Sequence, residues 1–173
     1  MDDVAAADDM TTHLLALGHR RIGFVRGHPS HTASDQRLFG YRRALDRAGL
    51  TFEPSLVRPG AFDFASGEAA ADALLDLARP PSAIFASNDD MAAGVLTVAH
   101  RRGLSLPADL SVAGFDDTAL AAQLWPPLTT VRQPTRDLAF ASASLLFEGG
   151  ETIVNRRLAH EIVVRGSTAP PGA

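Results

Sequence analysis

The chain has 173 residues, 46% of them hydrophobic, with 16 Lys and Arg against 20 Asp and Glu for a formal net charge of -4. That is enough chain for one respectable core but short for two full domains, and the mild acidity gives no global basic field to draw nucleic acid or an anionic membrane. The absence of cysteine excludes a disulfide framework, a thiolate zinc site and a cysteine nucleophile.

No apolar run approaches the roughly 20 residues of a membrane span. Asp2 and Asp3 stand where a secretory signal would carry basic residues, so a cytoplasmic protein is expected.

Residues 9–17 set Met10, Leu14, Leu15 and Leu17 at helical spacing, and Gly18 supplies a left-handed stop. The short apolar run 22–25, closed by turn residues 27–30, reads as a buried parallel strand. Residues 34–49 repeat the helical pattern through Leu38, Tyr41, Ala44, Leu45 and Ala48, with Gly49 at the end. A weaker strand starts at Val57, residues 62–67 read as a loop, and 68–77 form an alanine-rich helix that stops before Pro80. Strand 83–86, helix 91–102 with Gly103 as its stop, and strand 111–115 follow. A loop holding Trp125, Pro126 and Pro127 leads to an extended 129–132, a helix over 136–147, a strand over 160–165 and a fraying tail at 168–173. Strands alternating with helices imply right-handed crossovers, so the fold class is α/β: a mainly parallel, Rossmann-like sheet with helices on both faces.

In such sheets ligands bind outside the carboxyl ends of the strands. Three polar residues fall there. Asn88 follows the 83–86 strand and either caps the next helix or reaches into a cleft. Asp116 ends the 111–115 strand, where its carboxylate either accepts from two neighbouring hydroxyls or begins a loop as an Asx turn, a role that suits Asp117 better. Arg37 lies in the first turn of the helix after the 22–25 strand, where the helix dipole disfavours a cation unless a ligand or solvent answers it. Phe62 and Phe64 either stack on a ligand face or pack beneath their loop, and Asp89 and Asp90 suit the dipole of the helix they open.

Catalysis is poorly supported. His28 and His31 lie near Ser30 and Ser34, yet no acid at fixed spacing completes a triad, and neither H-E-x-x-H nor G-x-S-x-G occurs. The glycines around His19 precede their strand, whereas a phosphate loop must follow one. No metal, no cofactor and no enzymatic activity are expected.

LGHRRIGFVRG (17–27), QRLFGYRRALDRAG (36–49), AIFASNDDMAAGVL (83–96), GLSLPADLSVAGFDD (103–117) and PPLTTVRQP (126–134), in this order, closely resemble the lactose-repressor/galactose-repressor family of bacterial transcription regulators. The resemblance runs from about Thr11 to Val164. It implies one lobe of a periplasmic-binding-protein-like fold: residues 1–133 and 159–167 as the C-terminal effector-binding lobe, and 134–158 as a segment belonging to an N-terminal lobe outside these residues.

It also places Arg37, Asn88 and Asp116 at effector-contacting positions, Phe62 at that of an aromatic packed on the ligand, and Gln133 on the crossover near the cleft. The implied function is the effector-sensing portion of a transcriptional repressor, with a small-molecule effector, a sugar, as the expected partner. Operator DNA would be met only through a helix-turn-helix outside this chain. The alternative is a solute-binding protein of a sugar uptake system. A homodimer is implied, and the face around Met91, Val95 and Val98 with Leu120, Leu124 and Trp125 is the expected contact, unless Trp125 merely covers the core edge.

Overall fold

The computed structural model describes residues 1–148 and 157–172. Six strands form one sheet: β1 (Ile22–Val25), β2 (Val57–Arg58), β3 (Ala83–Ala86), β4 (Ser111–Asp116), β5 (Thr129–Arg132) and β6 (Glu161–Val163). Their order is β2-β1-β3-β4-β5-β6, with β1 to β5 parallel and β6 antiparallel on β5. The helices are α1 (Asp3–Ala16), α2 (Thr32–Arg47), α3 (Phe64–Leu75), α4 (Asp89–Arg101), α5 (Ala119–Gln123) and α6 (Thr135–Glu148).

The strands are short and apolar because both faces are covered. Ile22, Phe24, Phe85, Ala113, Phe115 and Val131 pack with Met10, Leu14, Tyr41 and Leu45 from α1 and α2. Val25, Ile84, Ala86 and Val112 pack on the other side with Leu74 of α3 and Met91, Val95 and Val98 of α4. Glycines let α3 and α4 touch backbone to backbone: a Cβ on Gly67 would sit 2.2 Å from the Met91 carbonyl oxygen, and one on Gly94 would sit 2.3 Å from that of Phe64. Gly18, Gly49 and Gly103 end their helices at φ 105°, 69° and 74°, as the sequence indicates.

Several expectations change. α1 begins at Asp3 rather than residue 9, capped by the Asp2 carboxylate, which accepts from the Ala5 N–H at 3.0 Å. α3 begins at Phe64, inside the segment read as a loop, because Asp63 caps it by accepting from Ser66 N–H.

The residues after 167 do not fray over their first part. Ser167 bridges β4 and β5, donating to the Val112 carbonyl at 2.6 Å and accepting from Thr129 N–H at 2.8 Å. The Ala169 N–H donates to Ser111 Oγ, and the Ala169 carbonyl lies 3.0 Å from Nε2 of buried His19, whose Nδ1 is 2.8 Å from Ser82 Oγ.

Burial holds His19 below its ordinary value of 6.5, so the fold prefers the neutral ring. The stability it gives is complete above 6.5 and is lost as pH falls through that value toward the lowered one. The stability margin of the wild type over His19→Gln is therefore expected to shrink between pH 7.5 and 5.5 in chemical denaturation, and a margin independent of pH would contradict the buried neutral ring.

Candidate functional site

The strand order reverses between β1 and β3, and their carboxyl ends part there. The gap is bridged by Ser87, whose N–H and hydroxyl both donate to the Val25 carbonyl, at 3.0 and 2.7 Å. Arg37, Phe62, Asn88 and Asp116, singled out in the sequence, and Gln133, which the family resemblance adds, come together at this edge in one chain of contacts.

Arg37 projects from α2, which starts at Thr32, so it stands in the second turn rather than the first. Its Nε donates to Asp3 Oδ1 at 2.8 Å and its Nη1 to the Ser87 carbonyl at 2.5 Å. The guanidinium lies 3.6 Å from the centre of the Phe115 ring, and Nη1 is 3.9 Å from Asp116 Oδ1. The close acid partner of this enclosed cation is Asp3, which its own neighbourhood in sequence does not reveal.

Asn88 caps α4. Its Oδ1 accepts from Met91 N–H at 3.0 Å, while its Nδ2 donates to the Phe62 carbonyl at 2.9 Å. Of the two roles open to it from sequence, the structure displays capping, and the second bond ties the β2–α3 loop to the cleft. Phe62 has φ 65°, a conformation that side chains other than glycine rarely adopt. Its ring lies over Gly27, where a Cβ would stand 2.0 Å from Cζ, and it meets the His31 ring edge-on at 5.5 Å. It also lies 5.9 Å from the Arg37 guanidinium. Phe64 instead opens α3 and is partly exposed.

Asp116 has φ 115°, and the next residue, Asp117, has φ 55°. Backbone outliers that gather at one edge in this way, with Phe62, are the kind of strain that binding sites hold. Gln133 Nε2 donates to Asp116 Oδ1 at 2.5 Å. Burial pushes the Asp116 carboxyl up to about 6 against the opposing pull of Arg37 and Gln133.

Asp117 is no Asx turn but the hub of two ion pairs, with Arg132 and Arg165 each at 2.6 Å. Burial raises its carboxyl, and the two arginines more than reverse this, leaving it lowered. Asp89 does more than answer a helix dipole: it is buried and accepts from Thr130 Oγ1 at 2.6 Å and from Thr118 N–H at 2.7 Å, fastening α4 to β5 and the loop after β4. Burial raises its carboxyl as well.

The expected dimer face is corrected in part. Met91, Val95 and Val98 are fully buried core residues because α4 is covered nearly all round, and they cannot meet a second chain. Trp125 does not cover the core edge: it is 79% exposed, with its carbonyl 2.8 Å from His100 Nε2. Among the described residues no group of three His, Asp or Glu is placed to hold a metal ion, and no helix is long and apolar enough to cross a membrane.

A doubly wound sheet with polar side chains gathered at its switch point has the architecture of α/β ligand-binding lobes. Residues 11–168 match the periplasmic binding protein-like domain, and the chain belongs to that family, as represented in the LacI-type transcriptional regulators. It is 38% identical over 172 residues to the HTH-type transcriptional repressor CytR of Escherichia coli K12, covering 97% of this chain and 50% of CytR.

Among solved structures it superimposes on the CelR–cellobiose complex with a TM-score of 0.89 at 37% identity, over 96% of this chain and 52% of that one. A sugar-binding LacI-family regulator from Escherichia coli complexed with phosphate gives a TM-score of 0.90 at 32% identity, over 99% and 63%. The chain spans about half the length of the curated relatives it matches.

Proposed function

We propose that this chain is the effector-binding lobe of a cytoplasmic transcriptional repressor, that its effector is a carbohydrate, and that it has no catalytic activity. The carrying observation is the convergence of Arg37, Phe62, Asn88, Asp116 and Gln133 on one strand-end edge. An aromatic ring and a carboxylate that both approach the Arg37 guanidinium, Phe62 at 5.9 Å and Asp116 at 3.9 Å, suit a ring with an apolar side and a hydroxyl rim. The cellobiose held by CelR, a relative sharing this fold, supports the sugar class. Arg37 and Asn88 are occupied within the protein, so they shape the cleft, while Asp116 supplies the acceptor.

On this reading, residues 1–133 and 159–167 form the lobe, and 134–158 packs on a second lobe supplied by a longer protein, which also carries the DNA-binding helices. The exposed Phe140 of α6, at 62%, supports this assignment, while residues 149–156 of the segment lie outside the described ones. Effector would bias the angle between lobes and so the affinity for operator.

Titrating neutral mono- and disaccharides into the labelled chain and following backbone amide shifts tests the reading. Saturable shifts centred on Phe62, Asn88 and Asp116 are expected, and shifts absent across the whole panel would remove the sugar assignment.

The homodimer reading rests on Trp125, since an exposed tryptophan flanked by prolines makes an interface anchor. Sedimentation of the wild type is expected to show self-association that Trp125→Arg reduces at least tenfold, and a monomeric wild type would exclude this face.

A further inference from the structure

The outer side of α2 borders a hollow of about 370 Å³ that shares no residue with the strand-end cleft. Phe39, Leu50 and Phe52 line it together with Arg42, Arg43 and Asp46. Its size and its mixture of apolar wall and few polar groups are those of small-ligand sites. Phe39 is 59% exposed, while Leu50 and Phe52 are half-buried against the core. An aromatic series runs outward to this wall: Phe24 stacks on Tyr41 with 4.9 Å between ring centres, and Tyr41 meets Phe52 edge-on at 6.4 Å.

Positions 39, 42, 43 and 46 are three or four apart and so share one face of α2. Of the three charged groups in the hollow, only one is answered. Arg43 Nε donates to buried Asp8 at 2.6 Å, and the same carboxylate takes Arg47. The Arg42 guanidinium lies over the Phe52 ring at 4.5 Å and has no acid partner among the described residues, where the exposed Asp46 carboxylate likewise has no cation. These two stand one helical turn apart, which brings their Cβ atoms to about 5–6 Å, yet they do not pair, and the order with the cation first is the weaker one for such a pair. The hollow therefore presents an open cation and an open anion one turn apart beside an aromatic wall.

We propose that this hollow is a second binding site, for a zwitterion with an apolar side chain, of the class of the aromatic and branched amino acids. The Arg42 guanidinium takes the carboxylate, the Asp46 carboxylate takes the ammonium, and Phe39, Leu50 and Phe52 take the side chain. An acid without the ammonium would meet Asp46 unanswered, and an amine without the carboxylate would meet Arg42 in the same way. Only a ligand carrying both charges next to an apolar group satisfies every side chain that the hollow leaves open.

Titrating L-phenylalanine, 3-phenylpropionate, phenethylamine and glycine separately into the labelled wild-type chain, followed by backbone amide shifts, tests this. Saturable shifts at residues 39–52 are expected, with phenylalanine about fivefold or more tighter than each of the other three, since an exposed charge contact is worth up to about that factor. Arg42→Gln is expected to weaken phenylalanine and phenylpropionate about fivefold and spare phenethylamine, and Asp46→Asn to weaken phenylalanine and phenethylamine and spare phenylpropionate. Both substitutions are at exposed positions, and the ranking of the four probes on the wild type does not depend on any variant folding.

The proposal is overturned if no probe shifts residues 39–52, if either truncated analogue or glycine binds as tightly as phenylalanine, or if either substitution leaves phenylalanine binding unchanged. Shifts centred instead on Phe62, Asn88 and Asp116 would assign these probes to the strand-end cleft and overturn it as well.

Discussion

Arg37→Met is expected to be the most damaging single substitution at the cleft. The thioether keeps much of the volume over Phe115 but leaves Asp3, Asp116 and the Ser87 carbonyl without their shared cation. Breaking a buried pair from one side costs about 3–5 kcal/mol, because the surviving charge stays desolvated. For a chain of this size that is a fall in Tm of roughly 6–15 °C. Part of the loss returns at pH 5, because Asp116, raised to about 6 even with Arg37 pulling it down, is protonated there and no longer needs the arginine. Scanning calorimetry at pH 7.5 and 5.0 measures both, and a shift under 2 °C at pH 7.5 would show that the guanidinium is not what holds this edge together.

The second large effect runs in opposite directions for stability and for binding. Asp116 has its folded value raised from 3.8 to about 6, so its favourable contribution belongs to the protonated form, is complete below 3.8 and is lost as pH rises through 6. At pH 7.5 the ionised carboxylate is a burden on the fold. Asp116→Asn keeps the shape, tolerates the positive φ and removes the charge, and it is expected to stabilise the chain by about 1–3 kcal/mol at pH 7.5. The gain should shrink toward pH 5.

The same change is expected to weaken effector binding about 10–100-fold, the worth of a charge-assisted hydrogen bond. Chemical denaturation beside sugar titration gives both numbers. A variant that is less stable and binds equally well would assign Asp116 a purely structural role.

Much of this was legible in the residues themselves. β3 and β5 have the bounds read from sequence, because a strand covered on both faces is an unbroken apolar run between turn residues. The start of α1 was not legible, since Val4 to Ala7 are small residues with no apolar rhythm and the helix there is fixed by Asp2 and by packing on α2. α5, five residues long, is too short to carry a period.

At the cleft, strand ends pointed to Asn88 and Asp116, the helix start to Arg37 and the loop after the second strand to Phe62, and the family resemblance added Gln133. Nothing local indicated Asp3, 34 residues from the arginine it holds, or the occupied state of the Asn88 amide, because both arise from tertiary placement. The misreading of α4 has the same origin. Its sequence looks two-faced, but the sheet, α3 and α5 between them leave only its charged and polar edge in water.

Gln133 stands two residues before α6 begins and donates to the partly exposed Asp116 carboxylate. On the proposed reading, a molecule that claims that oxygen would displace a tether on the stretch of backbone leading out of the lobe. Filling the cleft and re-aiming the exit would then be a single event.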